Sequence, residues 1–115
     1  MDCFTIYQLM YLILDELNDE NNYENLTTYL TDADPFMRRG ETSVDEVVYT
    51  NFKDAFSKYD NKDDYSYKFI CEYLKNLDSY YGDIYSIFIT ISKEEFIDTC
   101  NNILDNHPEK IKKII

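Results

Sequence analysis

Asp60, Lys62 and Asp64 stand at alternate positions in a polar stretch, the spacing with which oxygen ligands open a calcium-binding loop. The rest of that pattern is missing. Position 62 is lysine, Tyr65 stands where the sharp turn requires glycine, and Cys71 stands where a bidentate glutamate belongs. A solvated turn accounts for the cluster, and no metal is expected. His107 is the single histidine and lies in an Asn-His-Pro turn, so a Cys–His pair or a histidine metal site would have to be built around a surface residue. Cys3, Cys71 and Cys100 are widely spaced among apolar neighbours with no C-x-x-C pair; they read as reduced core thiols. With only Gly40 and Gly82 there is no phosphate-cradling loop, and 23 acidic residues make any one carboxylate pair uninformative as an acid–base couple. The expectation is that the chain is not an enzyme and carries no cofactor.

The charge is the more telling chemistry. Eleven basic against 23 acidic residues give a formal net charge of −12. Residues 1–36 hold eight acidic side chains and no Lys or Arg, whereas Lys110, Lys112 and Lys113 crowd the last six positions. Such a field repels nucleic acid and anionic membrane and steers association with a basic protein, at a rate that falls as salt screens it. Acidity also serves solubility. Twelve tyrosines with no tryptophan add rigid, amphipathic contact area, some of it beside acidic groups, although many such rings belong at the edge of a core.

These side chains need a scaffold, and the composition points to helices. At 115 residues the chain fits one domain, 1–115, around a single core. Two glycines and two prolines leave little turn chemistry for a many-stranded sheet, so the expected class is all-α: a single compact bundle of about five to six helices. The clearest segment is Ser43 to Tyr59, where Val44, Val47, Val48, Phe52, Ala55, Phe56 and Tyr59 form one helical stripe and Ser43 with Glu46 suggests a capping box. Residues 2–17 are apolar nearly all round, which predicts a central helix capped by Asp2 and running out in the turn 18–22. A weaker helix is expected over 23–30, and Pro35 to Arg39 reads as a single turn after Asp34 that stops at Gly40.

Beyond the polar break, Asp64 is placed to cap a helix over 65–80 that closes at Gly82. Ile84 to Ile91 has the β-branched residues of a strand, but a lone strand would have no partner, which favours a short buried helix or irregular turn. Ser92 and Glu95 form a second capping box ahead of Phe96, Ile97, Cys100, Ile103 and Leu104. Pro108 begins a last turn from which Ile111, Ile114 and Ile115 can fold back onto the core. The first residues lack the basic region of a signal peptide, and the longest wholly apolar run, Leu9 to Leu14, is far below the ~20 residues of a membrane span; the expected compartment is the cytoplasm.

Two segments, GETSVDEVVYTNFKDAF (Gly40 to Phe56) and ITISKEEFIDTC (Ile89 to Cys100), resemble small acidic immunity proteins of bacterial polymorphic-toxin and contact-dependent inhibition systems. The likeness rests on a helix opened by a small residue and Asp45-Glu46, where some members carry Asp-Pro, followed by aromatics at Tyr49, Phe52 and Phe56. These are scaffold residues. What the resemblance implies is a cytoplasmic helical inhibitor, antitoxin-like, that binds and blocks a basic toxin or nuclease domain. A groove that holds phosphates with Lys and Arg is open to occupation by carboxylates that imitate the backbone charge. The contact is expected on Asp15, Glu16, Asp19, Glu20 and Glu24 with Tyr23 as anchor, and secondarily on Asp60, Asp63 and Asp64 with Tyr65. Two other functions suit the same charge: a phage-type DNA mimic that inhibits a host nuclease, and a structural or accessory helical protein with no inhibitory role.

Overall fold

The computed structural model describes residues 1–60 and 63–113. Position 62 of the rejected calcium pattern, and the fold-back expected of Ile114 and Ile115, lie outside the described residues. Among those residues there are six α-helices and no strand: α1 (Cys3–Asn21), α2 (Glu24–Ala33), α3 (Glu46–Lys58), α4 (Tyr67–Lys75), α5 (Ile84–Phe88) and α6 (Lys93–Asn106). Two single 3-10 turns, Asp64–Ser66 and Ser79–Tyr81, lie between helices, and a third, Pro108–Lys110, follows α6. The all-α bundle is the expected class, and no helix is long and apolar enough to cross a membrane.

α1 is the central helix because its sequence is apolar on nearly every side. Tyr7, Leu9, Met10 and Leu14 have no exposed surface, and the helix packs against α2, α3, α5 and α6. Asp2 caps it, Oδ1 accepting from the Thr5 amide at 2.8 Å, and Asn22 ends it in the left-handed region (φ 56°) with its amide donating to the Asn18 carbonyl. The Ser92 box forms in both directions: Ser92 Oγ accepts from the Glu95 amide and Glu95 Oε1 accepts from the Ser92 amide. Ile84 to Phe88 resolves as a helix capped by Asp83, which accepts from both the amide and the hydroxyl of Ser86.

Three expectations need correction. α3 begins at Glu46, not at Ser43: its cap is Asp45, whose Oδ1 accepts from the Val47 amide, and the Ser43–Glu46 box does not form. The reason is that the amides of Val44 and Asp45 are held by the carbonyls of Asp34 and Asp32 at the end of α2, so the backbone cannot turn helical earlier. Ser43 is buried instead, accepting from the Tyr49 amide at 3.0 Å and donating to the Asp45 carbonyl.

Pro35 to Arg39 is a series of bends and not a helical turn. The loop is held from outside: Lys112 Nζ donates to Pro35 O at 3.0 Å, to Arg38 O, and to the following Gly40 O at 2.9 Å. The expected helix over 65–80 shrinks to α4. Tyr65 (φ 51°) and Ser66 (φ 56°) are both left-handed, so the first helical turn belongs to Tyr67, and Asp63, not Asp64, accepts from the Lys68 amide. At the other end Asp78 Oδ1 takes the Tyr80 amide and starts a separate turn, leaving Gly82 (φ 72°) to close that turn alone.

Candidate functional site

The five carboxylates expected to face a partner near the N-terminal half occupy the last turns of α1 and the first turn of α2. Asp15 and Asp19, and likewise Glu16 and Glu20, are i,i+4 neighbours of like charge, an arrangement that weakens a helix. Glu16, Asp19, Glu20 and Glu24 are exposed, while Asp15 is half-buried. Burial raises the Asp15 carboxyl above its usual range, and the charges of Asp19 and Asp34 raise it further. Tyr23 is half-buried with its ring on the core, and its amide donates to Asn18 Oδ1 at 2.8 Å, which fixes the α1–α2 corner. Glu24, in the first turn of α2, has the sign that suits a helix N-terminus. Asp19 and Glu20 do not: α1 has no basic residue in its last turn, so both stand against the negative end of its dipole.

The second expected cluster lies elsewhere. Asp63, Asp64 and Tyr65 border a shallow depression with Met1, Ile6 and Asn101, beside the beginning of α1. From Ile6 to Asp19 the helical rise alone amounts to roughly 20 Å. The fold therefore separates the two acidic groups to opposite ends of α1. The second is also more tightly committed to the fold: Asp63 Oδ2 lies 2.7 Å from Lys93 Nζ, and the Tyr65 hydroxyl donates to Asn101 Oδ1. Asp60 and Asp64 are exposed.

Acid should act in opposite senses on these two places. At Asp63, burial favours the neutral form but is outweighed by the hydrogen bonds from Lys93 and the Lys68 amide, so its carboxyl is lowered. Its stabilisation is complete above the unfolded carboxylate value near 4 and is lost as pH falls through the lowered folded value. At Asp15 the folded value is raised, so its penalty is present at neutral pH and disappears as pH falls through that value. Asp63→Asn should thus lose less stability than the parent between about pH 5 and pH 2 in urea titrations. Equal acid sensitivity of the two proteins would show that the Lys93 pair contributes nothing.

A cleft that the sequence reading missed opens between α3 and α4, closed at one end by the Ser79–Tyr81 turn, with a volume of about 670 Å³. Val48, Phe69 and Tyr73 form its buried floor. Val47 and Ala55, expected inside the core stripe, are exposed and form one wall, so α3 offers part of its apolar face to solvent. The available signal was the width of that stripe, which runs from Val44 through Val47 to Ala55 and exceeds what one packed flank needs. No family model matches the sequence, and comparison with curated proteins and with solved structures returns no match.

Little around these surfaces suits covalent or metal chemistry. Burial raises all three thiols, that of Cys100 to about 12, which keeps them protonated and weakly nucleophilic. His107 caps α6 half-exposed, with Nδ1 3.5 Å from Glu109. Among the described residues no group of three or more His, Cys, Asp or Glu is placed to hold a metal ion.

Proposed function

We propose that this chain is a protein-binding inhibitor of the immunity, or antitoxin-like, type, and that the acidic end formed by α1 and α2 engages a basic toxin or nuclease domain. One observation carries the reading. Glu16, Asp19, Glu20 and Glu24 are exposed, no ion pair among the described residues involves them, and Asp19 and Glu20 oppose the dipole of the helix that bears them. A charge placed against a helix terminus costs about 0.3–1 kcal/mol, and a sequence shaped by stability alone would put lysine there. Lysines or arginines of a partner would remove that penalty on binding and would relieve the repulsion at Asp15. Free thiols at Cys3, Cys71 and Cys100 suit the reducing cytoplasm in which such an inhibitor acts.

The test is to purify the product of the neighbouring reading frame and titrate it calorimetrically at low and high salt. Changing Asp19, Glu20 and Glu24 together to lysine should weaken binding roughly tenfold, about 1.4 kcal/mol, and flatten its salt dependence. Unchanged affinity would reject this surface. Capture of a host nuclease in its place would favour the DNA-mimic reading, and recovery within a larger assembly would favour the accessory one.

A further inference from the structure

The cleft between α3 and α4 has the form of a receptor, and its closing turn is tied to the start of α2, where Asn25 Nδ2 donates to the Tyr81 carbonyl at 3.2 Å. Its α3 wall runs from Val47 to Tyr59, which at 1.5 Å per residue is roughly 18 Å, about three turns of an incoming helix. Val47 (61% exposed) and Tyr80 (73% exposed) present large apolar surface at its lips. The walls are held from behind: Phe52 sits edge-on to Phe69 and Tyr73, the Tyr29 and Tyr73 hydroxyls share a 2.9 Å hydrogen bond, and Tyr81 donates to Asp32 at 2.8 Å. A groove so braced needs little reorganisation to bind.

Charge decides what it would take. Asp45, Glu72 and Asp78 line the cleft, Glu72 with Lys75 Nζ 3.5 Å away, and among the described residues no Lys, Arg or His lines it. Asp45 and Asp78 are fixed in place because each accepts a backbone amide, from Val47 and from Tyr80. Both lie toward the end closed by the Ser79–Tyr81 turn, whereas the Tyr59 end abuts Phe69. The described residues include no strand and so offer no sheet edge to an extended peptide, while two helices side by side form a groove into which the side-chain ridges of a third can pack.

We propose that this cleft docks an amphipathic helical segment of a partner protein, apolar at i, i+3, i+4 and i+7 and bearing Lys or Arg at the end that meets Asp45 and Asp78. The proposal is independent of the α1–α2 surface. It is tested on the full chain with a synthetic peptide of about 14 residues, roughly four helical turns, with leucines at those positions and lysines beside them. Three further probes are a glutamate-flanked version, a scrambled peptide of the same composition, and hexylammonium.

In amide NMR titrations the lysine-flanked peptide should shift signals of α3, α4 and the Ser79–Tyr81 turn. Its affinity should fall about tenfold for the glutamate-flanked and scrambled peptides, and likewise on Ala55→Arg and on Val47→Gln. Both changed residues are exposed, and an unchanged melting temperature checks that the fold is intact. Reversal of Asp19 and Glu20 alone, on the last turn of α1, should leave this binding unaltered. Equal binding by the scrambled peptide or by both cleft variants would overturn the proposal. So would shifts confined to residues 15–24, or hexylammonium occupying the cleft as tightly as the peptide.

Discussion

Phe52→Ala lowers the unfolding free energy by roughly 3–5 kcal/mol, the range for emptying a fully buried aromatic site. Phe52 has no exposed surface and sits where α1, α3 and α4 meet. Its ring centre lies 4.9 Å from Tyr7, 5.1 Å from Phe69 and 4.9 Å from Tyr73, each at a steep interplanar angle. Such edge-to-face pairs contribute about 0.5–1.5 kcal/mol beyond the burial of area, and several are lost together. The cavity cannot easily collapse, because Tyr73 is tethered to Tyr29 and Tyr7 donates to the Ala33 carbonyl. Phe56→Ala, one turn on, should cost clearly less, since Phe56 is only half-buried. Urea denaturation checks both, with a shifted midpoint at unchanged slope. A loss below about 1 kcal/mol at Phe52 would mean that the core is organised around another residue.

Lys112→Met should destabilise the protein by roughly 1.5–3 kcal/mol, the range for hydrogen bonds made by a charged group. Methionine retains the aliphatic stem, which places Nζ 5.8 Å from the centre of the Phe4 ring, while the ammonium that serves the carbonyls of Pro35, Arg38 and Gly40 is removed. The tail is positioned for this by Gln8, fully buried on α1, which accepts from the Lys112 amide at 2.7 Å and donates to its carbonyl at 3.2 Å. Lys112→Arg should not restore stability, because a planar fork cannot place all its donors on three carbonyls around one point. Hydrogen exchange would locate the effect: faster exchange at the Val44 and Asp45 amides, which link this loop to α2, is the expected signature. Unaltered exchange there, with full stability, would show that the loop holds its shape without the lysine.

The helices, their order and the caps at Asp2 and Ser92 were legible because they rest on relations within about four residues, the reach of a cap or a helical turn. The errors share the opposite origin. The capping box expected at Ser43 fails because Asp32 and Asp34 of another helix claim the neighbouring amides. The helical turn expected at Pro35 is replaced by bends whose carbonyls accept from Lys112, more than seventy positions away. Nothing local distinguishes Lys112 from Lys110 or Lys113, so no reading of the sequence could have singled it out.

The candidate surfaces divide in the same way. Sequence alone established that the chain is acidic, that the excess is concentrated in residues 1–36, and that its apolar residues recur with helical period, since composition and period are properties of the chain itself. Tertiary structure decided which of those charges share a face. It placed Asp63 to Tyr65 at the far end of α1 from Asp15 to Glu24, and it turned Val47 and Ala55 outward into a carboxylate-rimmed cleft. The physical reason is that periodicity specifies how wide an apolar face is, whereas what covers it depends on neighbours brought together only by folding.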